Sequence, residues 1–207
     1  MAKQGQMPDL QKASESAANR LDGLTHAARS AGTKGLPPVH LWNPPFCGDL
    51  DMRIAGDGTW FYLGTPIGRP ALVRLFSTVL KREDGKYFLV TPVEKVGIRV
   101  DDVPFLAVEM QQDGDGASRT LSFRTNVDDW VTCDVAHRLR FEMAVDGGLT
   151  PYLHVRADLW AKVTRAIYYD LVELGEERVV DGQEVFGVAS GGEFFAMADA
   201  GQVRGGV

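Results

Sequence analysis

Thr59-Trp60-Phe61-Tyr62-Leu63 and, about 90 residues later, Thr150-Pro151-Tyr152-Leu153 are the two stretches that decide the fold. Each is a short extended run that follows a glycine turn, and each leads through a loop with an arginine into an amphipathic helical pattern. A plan that occurs twice in one chain predicts an internal duplication. Two copies that each bury one helix face are expected to pack side by side, so a binding site is expected at the seam between them.

The two helical patterns have recognisable start and stop signals. The first begins at Pro70, a residue suited to a first helical turn, and is predicted to end near Arg82. The second is predicted over residues 158–174, with Asp158 as N-cap and Gly175 as its stop. Strands outnumber helices and are mostly joined by hairpins. The predicted fold class is therefore α+β, with two small, mostly antiparallel sheets that are each covered by one helix.

The same patterns predict four parts of the chain. These are an N-terminal helix and linker (1–38), a first α+β domain (39–100), a second α+β domain (101–199) and a flexible glycine-rich tail (200–207). The N-terminal helix is predicted from Leu10 to about Ala31, with small apolar residues near heptad spacing. We expect it to lie on the body of the same chain, and the alternative is a helix that docks a protein partner.

Composition limits the class of protein. The net charge of −6 argues against a chain that coats nucleic acid polymers. The two cysteines, Cys47 and Cys133, are too few for a disulfide framework. The first residues contain no apolar core of a secretory signal, and no run reaches the ~18 apolar residues of a membrane span. These features predict a cytoplasmic protein.

Catalytic and cofactor motifs are absent from the sequence. The chain has no nucleophile elbow, no phosphate-binding loop, no dinucleotide fingerprint and no His-Glu-x-x-His. We therefore expect no cofactor and favour a protein that is not an enzyme. The alternative is a metal-dependent hydrolase that uses Asp49 and Asp51, because two carboxylates on one side of a strand can hold Mg²⁺.

Charged and aromatic residues suggest a binding site. Arg69 and Arg156 each stand before a helical pattern, where a guanidinium can bind a phosphate or carboxylate in bidentate fashion. Glu94 and Lys95 are adjacent on a strand and form either a structural ion pair with Arg69 or Arg99 or the polar floor of an anion site. Trp42 lies among prolines and is the best candidate for a cleft wall. Trp60 and Trp160 are expected to fill cores.

Several motifs resemble one bacterial family. The run Trp42-Asn43-Pro44-Pro45-Phe46-Cys47-Gly48-Asp49-Leu50-Asp51-Met52-Arg53-Ile54 is similar to the family named domain of unknown function 1285. The further runs that match it are Gly64-Thr65-Pro66-Ile67-Gly68-Arg69, Thr91-Pro92-Val93-Glu94-Lys95-Val96, Asp102-Val103-Pro104-Phe105, Thr125-Asn126 and Tyr152-Leu153-His154-Val155-Arg156.

The resemblance implies a duplicated core whose C-terminal half is similar to pleckstrin-homology folds, and it implies no established activity. It also implies a nucleotide-like ligand between the halves and a role in signalling. The residues expected to bind that ligand are Trp42, Arg69, Thr91, Glu94, Lys95, Asn126, Tyr152 and Arg156. The leading hypothesis is thus a cytoplasmic binding module for a small anionic ligand, with Arg69 and Arg156 facing a shared cleft.

Overall fold

The computed structural model describes residues 21–30, 35–143 and 148–201. Residues 21–30 form a helix, α1, that buries Leu24 and Ala28. The remainder of the predicted N-terminal helix, 10–20 and residue 31, and most of the predicted tail, 202–207, lie outside the described residues. None of the described helices is long and apolar enough to span a membrane.

After α1, the described chain contains fifteen strands and two further α-helices, joined by turns and loops. The helices are α2 (Pro70–Thr78) and α3 (Arg165–Glu173), and single 3-10 turns occupy Val39–Leu41 and Gly116–Ser118. The strands are β1 Phe46–Ile54, β2 Trp60–Tyr62, β3 Thr65–Pro66, β4 Leu80–Glu83, β5 Lys86–Val90, β6 Lys95–Val100, β7 Phe105–Asp113, β8 Thr120–Thr125, β9 Trp130–Cys133, β10 Leu139–Met143, β11 Leu149–Arg156, β12 Leu159–Val163, β13 Glu176–Val180, β14 Gln183–Ser190 and β15 Glu193–Asp199.

These strands form two six-stranded sheets and one three-stranded sheet. Their orders are β3-β2-β1-β6-β5-β4, β10-β11-β12-β7-β8-β9 and β13-β14-β15. The described residues pack into two compact units, one made of residues up to Asp51 with Ile67–Ile98, the other of Met52–Pro66 with residues from Arg99 onward. The prediction of a mixed α+β fold is therefore confirmed.

The predicted duplication is also confirmed, and the repeated plan is larger than a run and a helix. In both copies three antiparallel strands precede the helix and three antiparallel strands follow it. The first copy is β1-β2-β3, α2, β4-β5-β6, and the second is β10-β11-β12, α3, β13-β14-β15. Hairpin pairings are antiparallel, as predicted, whereas β12 pairs with β7 in parallel.

The first helix begins where the sequence predicts and ends earlier. Arg69 is its N-cap, Pro70 is its first residue, and Leu72 and Phe76 are buried one turn apart. The predicted end near Arg82 is wrong, because β4 starts at Leu80 and pairs with β5. Leu80 and the next residues continue the apolar pattern of the helix, but their backbone hydrogen bonds to β5 make them a strand.

The second helix begins seven residues later than predicted, so Asp158 is not its N-cap. Residues 159–163 form β12, in which buried Leu159, Ala161 and Val163 alternate with half-buried residues. This strand pairs with β11 on one side and with β7 on the other. The hydrogen bonds of the two pairings stabilise the strand more than the amphipathic pattern favours a helix. Thr164 is the N-cap instead.

A buried hydroxyl connects the three-stranded sheet to the second six-stranded sheet. The Ser190 side chain, at the end of β14, has no exposed surface. Its Oγ donates a hydrogen bond to the carbonyl oxygen of Cys133 (2.7 Å) and accepts one from the backbone N–H of Leu121 (2.8 Å). One side chain thus satisfies two buried backbone groups on neighbouring strands β9 and β8.

We predict that Ser190→Ala lowers the free energy of unfolding by about 1–3 kcal/mol, since it leaves a buried donor and a buried acceptor without this partner. Urea unfolding measures the loss. The matched control is Ser122→Ala, whose hydroxyl contacts Thr132 Oγ1 on the surface at 3.1 Å. The control is expected to change stability by about 0.5 kcal/mol or less. Equal losses in the two variants would contradict the assignment.

Candidate anion-binding pocket

A cavity of about 300 Å³ opens in the second unit where β12 leads into α3. This volume is at the lower end of the range for small-molecule sites. The wall contains two cations, two phenol rings and several apolar side chains. Its residues are Gly148, Leu149, Thr150, Pro151, Lys162, Val163, Arg165, Tyr168 and Tyr169.

The local fold explains why these residues meet. Strands β11 and β12 are antiparallel with Tyr152 opposite Lys162, so the start of β11 lies beside the end of β12. The chain then passes through Thr164 directly into α3. Arg165 is the first residue of α3, and residues three and four positions later share its face of the helix. The cavity is therefore closed by a hairpin on one side and one helical face on the other.

Both cations of the wall are held by neighbouring groups. Arg165 Nε donates a hydrogen bond to the Tyr169 hydroxyl (2.9 Å), and its guanidinium carbon lies 5.6 Å from the centre of that ring. Lys162 Nζ lies 3.2 Å from Asp102 Oδ2. An ammonium has three N–H groups, so Lys162 has donors beyond the one used in its contact with Asp102.

Asp102 is shared between Lys162 and Tyr152. The hydroxyl of Tyr152 lies 3.2 Å from Oδ1 and 3.3 Å from Oδ2 of this carboxylate. Burial of Tyr152, together with the nearby negative charge of Asp102, raises the pKa of the phenol to about 12. Tyr152 therefore keeps its proton at neutral pH and acts as a hydrogen-bond donor to Asp102.

Five of the residues predicted to bind a ligand belong to the first unit, and three of these lie in one turn. The Thr91 side chain is fully buried, and its Oγ1 accepts a hydrogen bond from the backbone N–H of Glu94 (3.2 Å). Lys95 Nζ lies 2.9 Å from Glu83 Oε2 and 5.1 Å from the centre of the Phe88 ring. Thr91 thus stabilises the turn, and Lys95 forms a structural ion pair.

The other two residues of the first unit cap helical segments, Trp42 at a C-terminal end and Arg69 at an N-terminal end. Trp42 is half-buried and follows the 3-10 turn Val39–Leu41. Arg69 is exposed at the N-terminus of α2, the position that the sequence predicts. Glu83 has two cationic partners, and hydrogen bonds from Lys81 and, to a smaller extent, from Lys95 lower the pKa of its carboxyl group.

In the second unit, each of the three predicted residues contacts a different protein group. Asn126 Oδ1 accepts a hydrogen bond from the Leu106 N–H (3.0 Å), and Tyr152 donates to Asp102. Arg156 Nη1 lies 2.7 Å from Asp129 Oδ2. The prediction that Arg156 stands directly before the second helix is wrong, because it ends β11 and the strand β12 follows.

The proposed metal ligands Asp49 and Asp51 lie on β1 and are both exposed, two residues apart. They therefore point to the same side of the strand, as predicted. Within the ranges that the structure describes, no group of three His, Cys, Asp or Glu side chains is arranged to hold a metal ion. The pair accordingly has no third protein ligand of these types among the described residues.

The tryptophans divide in a way that the sequence predicts only in part. Trp60 is 1% exposed, which confirms its assignment to the core. The same assignment for Trp160 is wrong, because this residue is half-buried on an open face of β12. Its ring lies 5.0 Å from the His154 ring and 4.1 Å from the guanidinium carbon of Arg140.

The residues of the cavity are not recognisable as a site from the sequence, because its pattern predicts a single helix over 158–174. In a helix over that range, Lys162 and Arg165 appear as solvated surface charges. The available signal was the alternation of Leu159, Ala161 and Val163 with Trp160 and Lys162, which has the period of a strand.

Two family models match most of the chain. A model described as "Domain of unknown function (DUF1285), N-terminal domain" matches residues 37–103, and one described as "Protein of unknown function (DUF1285), C-terminal domain" matches residues 104–197. No match was found among curated proteins.

Two solved structures are similar to the chain. The crystal structure of a DUF1285 family protein from Silicibacter pomeroyi DSS-3 has 49% sequence identity and a TM-score of 0.80, and the match covers 87% of this chain and 97% of that one. A DUF1285 family protein from Shewanella baltica OS155 has 31% identity and a TM-score of 0.49, over 60% of this chain and 91% of that one. The resemblance inferred from the sequence motifs is confirmed.

We predict that the Tyr152 phenol stays protonated well above the ordinary tyrosine pKa of 10, with a pKa of about 12. The folded state favours the neutral phenol, so the stability that this group confers falls as the pH rises from 10 toward about 12. Phenolate absorbance of the native protein and of Tyr152→Phe should rise equally between pH 10 and 11. A larger rise in the native protein would show that Tyr152 ionises there.

Proposed function

The chain belongs to the DUF1285 family of proteins of unknown function, and we propose that it is a binding module for a small anionic ligand. The observation that carries the proposal is the cavity of about 300 Å³ with Lys162 and Arg165 in its wall. Cavities that combine apolar walls with a few convergent polar groups are the usual form of a small-molecule site.

The charges of the wall support an anion as the ligand. An ammonium attracts an anion as a point charge, whereas a guanidinium bonds two oxygens of one carboxylate or phosphate. The contact with Tyr169 restricts the Arg165 side chain, so less conformational freedom is lost when an anion binds. The two cations also lie on different elements, β12 and α3, which allows them to approach one anionic group from two directions.

The apolar part of the wall supports a ligand with an organic body. Leu149, Pro151 and Val163 offer aliphatic surface, and the rings of Tyr168 and Tyr169 lie 6.0 Å apart. Burial of apolar ligand surface contributes about 25 cal/mol per Å² to binding, before the entropic cost of association. An inorganic ion would leave this surface unused.

The finer hypotheses from the sequence stay predictions. These are the nucleotide-like ligand, the role in signalling, the resemblance of the C-terminal half to pleckstrin-homology folds and the part played by Arg69. Adenosine monophosphate serves as the probe for a nucleotide-like ligand, and its binding to Arg69→Ala tests the part played by Arg69.

We predict that the protein binds at least one of three probes, namely phenylacetate, phenyl phosphate and adenosine monophosphate, in calorimetric titrations. The double variant Lys162→Gln with Arg165→Gln should bind that probe at least about tenfold more weakly, because it loses both charge-assisted contacts.

The matched control is Lys86→Gln with Arg99→Gln, which removes the same charge from two exposed positions outside the cavity. Binding by this control should equal that of the native protein. The proposed function is wrong if the native protein binds none of the probes, or if the two double variants bind them equally well. Melting temperatures of all three proteins show whether each is folded.

A further inference from the structure

We propose that Asp102 tunes the ligand selectivity of this cavity, because it weakens the binding of a phosphate dianion more than that of a singly charged carboxylate. This inference rests on the proposed function, because it concerns the same cavity. Asp102 acts through Lys162, whose ammonium it contacts at 3.2 Å, and Lys162 lines the wall. It is thus a selectivity residue that binds no ligand itself.

The position of the Asp102 carboxylate is fixed from two sides. Tyr152, which is 8% exposed, donates its hydroxyl to the carboxylate, and Lys162 lies opposite Tyr152 in the pairing of β11 with β12. Two donors from paired strands therefore hold one acceptor. Because the Tyr152 ring is packed in the sheet, this carboxylate cannot move away at little cost when a ligand enters.

A ligand anion at Lys162 must share the ammonium with Asp102. Each hydrogen bond to the ammonium is about 3 Å long, so the two anions lie about 5 Å apart. Their repulsion is proportional to the product of their charges, so Asp102 repels a dianion twice as strongly as a monoanion and offsets part of the stronger attraction of the dianion to Lys162 and Arg165. In this position Asp102 discriminates against the second negative charge of a phosphate monoester.

The other charged groups on this face of the sheet form a pair of their own. Arg140 Nε lies 3.2 Å from Glu142 Oε1, and Glu142 is opposite Thr150, which lines the cavity. Arg140 also covers the Tyr152 ring at 5.1 Å. Glu142 is thus paired with Arg140, whereas Asp102 directly contacts Lys162, a cation of the wall.

The class of ligand follows from both parts of the cavity. The wall cations favour an anionic group, Asp102 penalises a second negative charge on it, and the aliphatic and tyrosine surface favours an apolar body. A monocarboxylate with a ring or a short hydrocarbon chain meets all three conditions. Phenylacetate and phenyl phosphate have similar bodies and differ in charge, which makes them a suitable pair of probes.

The experiment compares the two probes by calorimetric titration at about pH 8, where a phosphate monoester with a second pKa near 6 is a dianion. In Asp102→Asn the affinity for phenyl phosphate, relative to that for phenylacetate, should rise at least about tenfold over the native ratio, chiefly through tighter binding of phenyl phosphate. The amide oxygen of the variant can still accept the Tyr152 hydroxyl, so the local structure is retained.

Asp101→Asn is the control, because it removes the same charge from the neighbouring residue, which pairs with Arg53 at 3.0 Å. It should keep the native ratio of affinities. The inference is overturned if Asp102→Asn and Asp101→Asn show the same ratio, or if neither probe binds to any of these proteins. The proposed function is overturned as well only if the native protein also fails to bind adenosine monophosphate.

Discussion

The parallel pairing of β12 with β7 is the constraint on which the second unit depends. It places Ala161 opposite Phe105, and both side chains are fully buried. The pairing continues past the strand, because the backbone N–H of Thr164 donates to the carbonyl oxygen of Ala107 at 3.2 Å. The chain is thereby fixed up to the residue that caps α3, so this pairing sets where the helix begins.

The geometry of the cavity follows from that pairing. With β12 held between β11 and β7, its alternate residues point to opposite faces, which puts Lys162 on the face of Tyr152 and Asp102. Arg165 comes three residues after Lys162, at the start of the helix. Lys162 and Arg165 line the same cavity because the chain changes from strand to helix between them.

Much of the fold was predictable because its signals are local. Asp57 and Gly58 mark the first hairpin, and Gly58 has a φ of +78°, a conformation that glycine adopts without strain. Ile54 pairs with Trp60 across this turn. The boundaries of both helices were less predictable, since residues such as Leu80 and Val163 fit an amphipathic helix and a half-buried strand equally well.

By itself, the sequence determined the α+β class, the duplication, the hairpins and the family, because turn residues, apolar periodicity and short motifs act over a few positions. Only the tertiary structure decided that 159–163 is a strand, that Arg156 pairs with Asp129 at 2.7 Å, and that Lys162 and Asp102 meet. These outcomes depend on partners up to 60 residues apart in the chain. The energy of strand pairing and of these ion contacts comes from such distant partners, and local sequence patterns carry no record of it.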